Sequence, residues 1–221
     1  MNWFWEQFNE KGTWLFRMMW LQLLWMAFTL LGAVLFGFFP ATISLFSIIR
    51  KWIRGDTEID IFRTFAAAFK ESFVRSNLIG LLFMAIGLFL AVDLYISQTY
   101  LGNAIVHIGI LICTLLYTLT VLFFFPTYVH YELKTFTYVN QAFLLILVRP
   151  LQSLLILCSA LIMLMIVYVV PFLGILFAGP MLAFPIMWLG NRVFQNLERT
   201  AVIEGMRARE LQKEELAVTH K

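Results

Sequence analysis

The chain has 221 residues, of which 62% are hydrophobic and only 13% are charged, and its formal net charge is +3. A soluble domain carries about 25% charged and about 45–50% apolar residues, so this composition excludes a soluble enzyme and argues against a nucleic-acid partner. Continuous apolar runs of about 18 residues or more recur, which is typical of transmembrane helices and not of the alternating strands of a membrane β-barrel. The sequence therefore predicts an all-α, polytopic transmembrane bundle, one domain over residues 1–221, in contact with the lipid bilayer.

The first predicted span covers residues about 14–39 and ends at Pro40. Proline removes a helical hydrogen bond and clashes with the preceding turn, so Pro40 is expected to mark a kink or an exit from the membrane. A straight helix from residue 14 to residue 53 would be about 60 Å long, twice the hydrocarbon thickness of about 30 Å. The stretch after Pro40 carries its apolar residues onto the basic cluster Arg50, Lys51 and Arg54.

An amphipathic helix is predicted over residues 61–77, with Asp56 or Asp60 as its cap. Four phenylalanines recur at steps of three and four and share one face of this helix: Phe62, Phe65, Phe69 and Phe73. The helix runs into Arg75 at the mouth of the second span. Two interpretations of the phenylalanine face stay open. It rests on the headgroup boundary or on its own bundle, or it docks on a permease or an ATPase.

Four further spans follow in the predicted bundle, at residues about 76–97, 104–128, 151–170 and 172–190. The last apolar block is again too long for one crossing, and Pro171 is the expected point of reversal. The predicted number of spans is five, and four or six also fit the hydropathy. A charged tail, residues 191–221, is expected to form a short solvated helix.

The distribution of Lys and Arg predicts which ends face the cytoplasm. Residues 50–75 hold six of these cations and the tail from residue 191 holds six, whereas the 97–103 loop holds none. Short loops rich in Lys and Arg stay on the cytoplasmic side. With five spans, the basic segments and the C-terminus are then cytoplasmic, and the N-terminus lies outside.

Two segments of the chain, residues 68–83 and 142–157, match at a constant offset of 74 positions. Arg75 corresponds to Arg149 in this comparison. An internal duplication and chance matching in a strongly apolar chain both explain the similarity. In either case, Arg75 and Arg149 are expected to reach the interface, where they pin the ends of two spans and join the phenylalanine face as candidate partner contacts.

Asp93 and His107 form the candidate polar site at the outer side, because an acid inside a membrane span is a functional candidate. The alternative is an acid at the interface that water or local groups satisfy. His130 and Glu132 are interpreted as a cytoplasmic interfacial surface. No phosphate-binding loop or hydrolase motif occurs, so we expect no catalytic site, no metal and no cofactor.

Several landmarks run through the sequence: "LFRMMWLQLLWM", "FPATISLFSIIRKWIRGDTEIDIFRTFAAAFKESF", "AVDLY", "FPTYVHYELKTF" and "NRVFQNLE". With these landmarks the chain resembles the YesL-like family of bacterial membrane proteins over essentially its full length. The resemblance implies the bacterial cytoplasmic membrane and a context of carbohydrate uptake. It favours a non-catalytic accessory subunit of an ABC-type oligosaccharide importer, with the permease subunits, the ATPase and the solute-binding protein as partners. The alternative is a small stand-alone transporter or channel that acts as an oligomer.

Overall fold

The computed structural model describes the backbone of residues 2–101 and 103–219, and the side chains of residues 12–100 and 103–200. Within these ranges the chain is helical and contains no strand. The elements are α1 (Asn2–Leu31), α2 (Leu35–Ile53), α3 (Ile61–Ile96), a π-helical turn (Ser97–Leu101), α4 (Ala104–His130), α5 (Thr137–Val148), α6 (Pro150–Val169) and α7 (Pro171–Thr219). This composition of elements confirms the predicted all-α class.

Five segments of these helices are long and apolar enough to cross a membrane, the same number as the predicted spans. They are Gly12–Leu31, Ile61–Tyr100, Ala104–His130, Pro150–Val169 and Pro171–Thr200. The chain is therefore a multi-pass membrane protein. The reversal predicted at Pro171 is present, because α6 ends at Val169 and α7 starts at Pro171.

The first two helices form an antiparallel hairpin, so the predicted span 14–39 and its break at Pro40 are wrong. α1 ends at Leu31, the chain reverses over residues 32–34, and Pro40 lies inside α2. Trp25 Nε1 donates to Thr42 Oγ1 at 3.1 Å across the hairpin. Pro40 does not break α2, because the side-chain amide of Asn77 in α3 donates to the carbonyl oxygen that the proline leaves without a backbone donor.

The turn of this hairpin depends on an unusual backbone. Ala33 and Val34 have φ values of 53° and 64°, in the left-handed region that side chains with a Cβ rarely adopt. Gly32 lies so close to Gly37 that a Cβ on either residue would collide with the facing backbone. The close approach of the two helices therefore requires glycine on both sides.

The hairpin also places the start of α1 at the basic end of α2. The rings of Trp14 and Trp52 lie 5.8 Å apart between centroids. Arg17 Nη1 donates to the carbonyl oxygen of Thr57 at 2.9 Å. These two contacts hold the start of α1 next to the end of α2, which favours one side of the membrane for both ends of the hairpin. The prediction from charge placed them on opposite sides.

α3 is a single helix of 36 residues, about 54 Å long, and it contains both the predicted amphipathic helix and the second span. The amphipathic helix is thus the beginning of α3 and not a separate element. Asp60 caps it, as one of the two predicted candidates, by accepting from the Arg63 backbone N–H at 3.1 Å. By contrast, the chain breaks between α5 and α6, because Pro150 disfavours a helical backbone at Arg149 (φ −132°, ψ 62°).

α2 is the central helix of the bundle and contacts α1, α3, α4 and α7. Eleven of its 19 residues are buried. Phe39 and Phe46 stack on the ring of Phe125 in α4, with centroid distances of 6.4 and 5.4 Å. The C-terminal end of α2 therefore lies next to the end of α4 and next to α7.

Candidate functional site

A cleft of about 580 Å³ opens where α2, α3 and the α4–α5 connection meet. Its wall carries three tyrosines, two carboxylates and one guanidinium, and we call this set the tyrosine cleft: Glu71, Arg75, Tyr128, Tyr131, Glu132 and Tyr138. Ser47 and Ser72 add hydroxyl groups to the lining. A volume of this size is typical of ligand or peptide sites.

One wall of the cleft is fixed by Tyr138, at the start of α5. Its ring stacks on Tyr128 of α4 with 4.5 Å between centroids. The Tyr138 hydroxyl donates to the Tyr131 carbonyl oxygen at 3.2 Å and accepts from the Leu133 backbone N–H at 3.0 Å. Because one hydroxyl satisfies two backbone groups, the connection between α4 and α5 is held against both helices.

Charged side chains from α3 and from the α4–α5 connection also line the cleft, without ion pairs among the described side chains. Glu71 and Arg75 lie one helical turn apart on α3, and Glu132 follows the end of α4. None of the three takes part in an ion pair with the side chains that the structure describes. The cleft can therefore accept a cation or hydrogen-bond donor at its carboxylates and an anion or carbonyl at Arg75.

A buried polar contact lies behind the cleft, and we call it the His130 junction. The His130 side chain is 4% exposed, and its Nε2 lies 3.0 Å from Glu198 Oε1 on α7. The imidazole stacks on Phe194 with 4.3 Å between centroids. Arg50 Nη2 donates to the His130 carbonyl oxygen over a long 3.4 Å. The junction thus joins α2, α4 and α7 at one point.

Several polar atoms at the meeting of α2, α4 and α7 have no hydrogen-bond partner within the described part of the chain. They are Arg50 Nε, Thr127 Oγ1, His130 Nδ1 and Asn191 Oδ1. Buried polar groups without partners cost stability and are commonly satisfied by ordered water. Burial of the neighbouring Tyr131 raises the pKa of its phenol, and the charge of Glu198 makes a smaller contribution in the same direction.

Tyr131 separates the tyrosine cleft from a second hollow of about 540 Å³ between α5 and α7. This hollow is more apolar, with Leu144, Leu145, Val148 and Leu197 in its lining. Glu198 of the His130 junction reaches it from α7. The two hollows and the junction thus lie together at the basic end of the bundle.

Comparisons with known proteins agree on one family. The sequence matches the family described as "Protein of unknown function, DUF624" over residues 18–94. It is 37% identical to the uncharacterized protein YesV of Bacillus subtilis over 186 residues, which are 82% of this chain and 88% of YesV. The chain belongs to the YesL-like family. YesL itself, from the same organism, is 29% identical over 192 residues, which are 86% of this chain and 91% of YesL.

A third member of the YesL-like family, YteU of Bacillus subtilis, is 37% identical over 135 residues, or 60% of each chain. No solved structure matches the chain. The matched segment, residues 18–94, contains α2, the second half of α1 and nearly all of α3, so it includes Glu71 and Arg75 of the cleft. The three tyrosines of the cleft lie beyond it.

The predicted phenylalanine face packs mainly within the bundle of this YesL-like protein. Phe65 is fully buried, and Phe28 of α1 lies 5.1 Å from Phe65 and 5.0 Å from Phe69 between ring centroids. Phe62 and Phe73 stay exposed at the two ends of the face, at 51% and 36%. Of the two interpretations, contact with its own bundle accounts for the centre of this face. A docking role for its exposed ends stays a prediction.

The two predicted arginines have different surroundings. Arg75 lines the tyrosine cleft. Arg149 is half-buried at the α5–α6 junction, where its carbonyl oxygen accepts from Ser153 Oγ at 3.0 Å. The symmetry of the two sequence segments is therefore not repeated in their local structure, because one arginine lies within a helix and the other at a break.

At the predicted outer polar site, His107 has a different partner from the one considered in the sequence. Its Nδ1 lies 3.3 Å from Ser97 Oγ, and Ser97 follows Asp93 by one helical turn. Asp93 is half-buried and forms no ion pair with His107 or with another described side chain. The contact with Ser97 joins the start of α4 to the π-helical turn.

Sequence reasoning missed Tyr128, Tyr138 and Glu198 as site residues. Tyr128 has the position of an interfacial anchor, and Glu198 lies in a charged tail. The available signal was indirect. "FPTYVHYELKTF" and "NRVFQNLE" stand out in the sequence as polar stretches directly after apolar spans, and the fold brings these two stretches together at the His130 junction.

Proposed function

We propose that this YesL-like protein is a non-catalytic accessory subunit of a bacterial ABC-type oligosaccharide importer, and that its tyrosine cleft receives a cytoplasmic segment of the permease. The observation that carries the proposal is the cleft itself, a polar recess with Glu71, Arg75 and Glu132 all without ion-pair partners among the described side chains. The oligosaccharide importer as the partner system rests on the family resemblance.

The distribution of polar groups supports binding over transport. Ionisable groups are scarce at membrane depth, with Asp93 and His107 near the outer ends of α3 and α4. The sequence of residues 150–190, which includes α6 and the first part of α7, contains no acidic or basic side chain. A hydrophilic pathway needs such groups facing a cavity. The chain instead collects its charges at one end of the bundle.

The side of the membrane follows from charge and from the hairpin together. Because Lys and Arg are enriched in residues 50–75 and after residue 191, we place the basic end in the cytoplasm of a bacterium. The contacts Arg17–Thr57 and Trp14–Trp52 then put the start of α1 on the same side. In this arrangement α2, with 19 residues, returns the chain across the membrane as a sixth crossing beside the five long apolar segments. Both ends of the chain and the tyrosine cleft are then cytoplasmic.

Co-purification from native membranes tests the proposal. The tagged full-length protein is extracted in a mild detergent, and permease subunits are quantified by mass spectrometry. Glu71→Lys combined with Glu132→Lys reverses both carboxylates of the cleft, while Glu58→Lys reverses an exposed carboxylate on the α2–α3 loop and serves as the control. We expect the double variant to reduce permease recovery about tenfold, through repulsion and lost hydrogen bonds, and the control to keep it.

Two outcomes would overturn parts of this proposal separately. If the native chain never recovers a permease subunit, the accessory role is wrong. If the permease is recovered equally with the double variant, the role stands but the tyrosine cleft is not the contact. Solute uptake by the purified protein alone in liposomes would support the stand-alone transporter instead.

A further inference from the structure

The hairpin of α1 and α2 collects three cationic side chains at the end opposite its turn. Lys51 and Arg54 come from the end of α2, and the hairpin adds Arg17 from α1. Arg17 is held in place by its hydrogen bond to the Thr57 carbonyl oxygen, forty positions away. We call Arg17, Lys51 and Arg54 the hairpin base.

The hairpin base is not neutralised by neighbouring side chains. Among the described residues none of its three cations forms an ion pair. The loop after α2 contains three carboxylates, of which Asp60 is already paired with Arg63 at 3.2 Å. The carboxylates of Asp56 and Glu58 are exposed to solvent on the same loop.

Helix electrostatics explain only part of this cluster. Cations near a helix C-terminus are favoured by the helix dipole, which accounts for Lys51 and Arg54 on α2. Arg17 lies in the first half of α1, far from the C-terminus of that helix at Leu31. Its position beside the end of α2 follows from the hairpin, so the fold adds a cation where two are already present.

Aromatic side chains mark the depth of the hairpin base. Trp14 and Trp52 pack 5.8 Å apart between ring centroids, each within three positions of a cation of the base. Trp52 is buried in the bundle, whereas Trp14 is 38% exposed at the beginning of an apolar segment. An exposed tryptophan at the end of a membrane span is typical of the level of lipid headgroups. The exposed ring of Trp14 therefore favours the depth of the lipid phosphates for the three cations, which come from two helices.

We propose that the hairpin base binds the phosphate of an anionic phospholipid headgroup. Guanidinium groups bind phosphate oxygens through paired hydrogen bonds, and the Lys ammonium adds a point charge. Basic pockets between transmembrane helices on the cytoplasmic side are suited to anionic headgroups. The bound lipid would lie across the open end of the hairpin and contact both α1 and α2.

Native mass spectrometry of the full-length protein in detergent tests this proposal. The protein is titrated with short-chain phosphatidylglycerol or with phosphatidylcholine, and bound lipids are counted. Arg17→Gln with Arg54→Gln removes two cations of the base, and Lys134→Gln with Arg199→Gln removes two exposed cations elsewhere. We expect native protein to prefer phosphatidylglycerol about tenfold, and the base variant to lose this preference while the control keeps it.

Three results would overturn the proposal. The first is equal binding of the two lipids by the native protein. The second is an equal loss of preference in the control, which would assign the effect to net charge. The third is displacement of phosphatidylglycerol by inorganic phosphate beyond that by chloride of equal ionic strength, which would assign the site to free phosphate. If the double variant does not fold, Lys51→Gln alone is titrated, and unchanged preference in that variant also counts against the proposal.

Discussion

Asn77 of α3 donates from its side-chain amide to the carbonyl oxygen of Phe36 in α2, at 2.9 Å. That carbonyl would normally accept from the backbone N–H four residues later, which is absent because that residue is Pro40. Asn77 is buried, and the same amide also donates to the Phe73 carbonyl oxygen at 2.8 Å. An amide on one helix thus satisfies the backbone group that a proline leaves free on another, and α2 continues unbroken.

A double-mutant cycle on Asn77 and Pro40 tests this relationship. Asn77→Ala in the native background should reduce stability by about 1–3 kcal/mol, because it leaves a buried carbonyl without a donor. Pro40→Ala restores the backbone N–H, so Asn77→Ala should cost about 1 kcal/mol less in that background. Thermal unfolding in detergent measures both costs. Equal costs in the two backgrounds would show that Asn77 does not act through this carbonyl.

Cysteine accessibility should place both ends of the α1–α2 hairpin on one side of the membrane. In a background with Cys113→Ala and Cys158→Ala, single cysteines are introduced at Gly12, at Asp56 and at Gln98. Gly12 has open space around its Cα, and the other two residues are exposed. We expect an impermeant thiol reagent on intact cells to label only Gln98→Cys. Labelling of Gly12→Cys on intact cells would contradict this arrangement and would support the location predicted from charge, with the N-terminus outside.

Loss of Glu198 should loosen the last turns of α7 whose side chains the structure describes. Glu198→Ala leaves the buried His130 Nε2 without its partner, at an expected cost of about 1–3 kcal/mol. Backbone amide exchange over residues 191–200 should then accelerate about tenfold or more, because local opening becomes easier. Arg199→Ala removes the exposed neighbouring charge and serves as the control. Unchanged exchange in Glu198→Ala would mean that the His130 junction does not hold α7.

The Tyr138 hydroxyl should be needed for the shape of the cleft. Tyr138→Phe keeps the ring stacked on Tyr128 but removes a hydroxyl that satisfies two backbone groups. We expect a loss of about 1–3 kcal/mol in thermal unfolding. Tyr100→Phe removes the same hydroxyl from a side chain that is 75% exposed and should change stability little. Equal effects of the two substitutions would argue against this role for Tyr138.

Much of the helix layout follows from the lengths of the apolar runs. Ala104 begins α4, Pro150 begins α6 and Pro171 begins α7, each within one residue of the predicted span. Where an apolar block is twice as long as the bilayer is thick, it must turn, and Pro171 lies at the middle of the block 151–190. Pro180 and Pro185 lie inside α7 without ending it, so the length of the block decides which proline marks the turn.

The hairpin shows where such reasoning fails. Pro40 is a strong local signal for a break, but Asn77, thirty-seven positions later, removes its effect. The real turn contains Ala33 and Val34, residues that seldom adopt positive φ and therefore give no signal. The close packing of Gly32 on Gly37 allows the reversal, because a Cβ at either position would collide with the facing backbone. Tertiary contacts thus decided the location of the turn against the local preference of the chain.

The candidate site depends even more on tertiary structure. Arg50 and His130 are separated by 80 positions, and His130 and Glu198 by 68. These site residues form no motif of fixed spacing. From the sequence alone, Tyr128 cannot be distinguished from an interfacial anchor. The part of the site that could be predicted is Arg75, because it ends a polar helix at the mouth of an apolar span.

Site-specific photocrosslinking in native membranes tests the central claim, that the tyrosine cleft contacts an importer permease. A photoreactive amino acid replaces Glu132 in the cleft or, in a separate variant, Phe62 at the exposed end of the phenylalanine face. The account predicts a crosslink from position 132 to a permease subunit and a much weaker one from position 62. A permease crosslink from position 62 alone would contradict the cleft and favour the phenylalanine face. Crosslinks to lipid alone from both positions would contradict the permease contact itself.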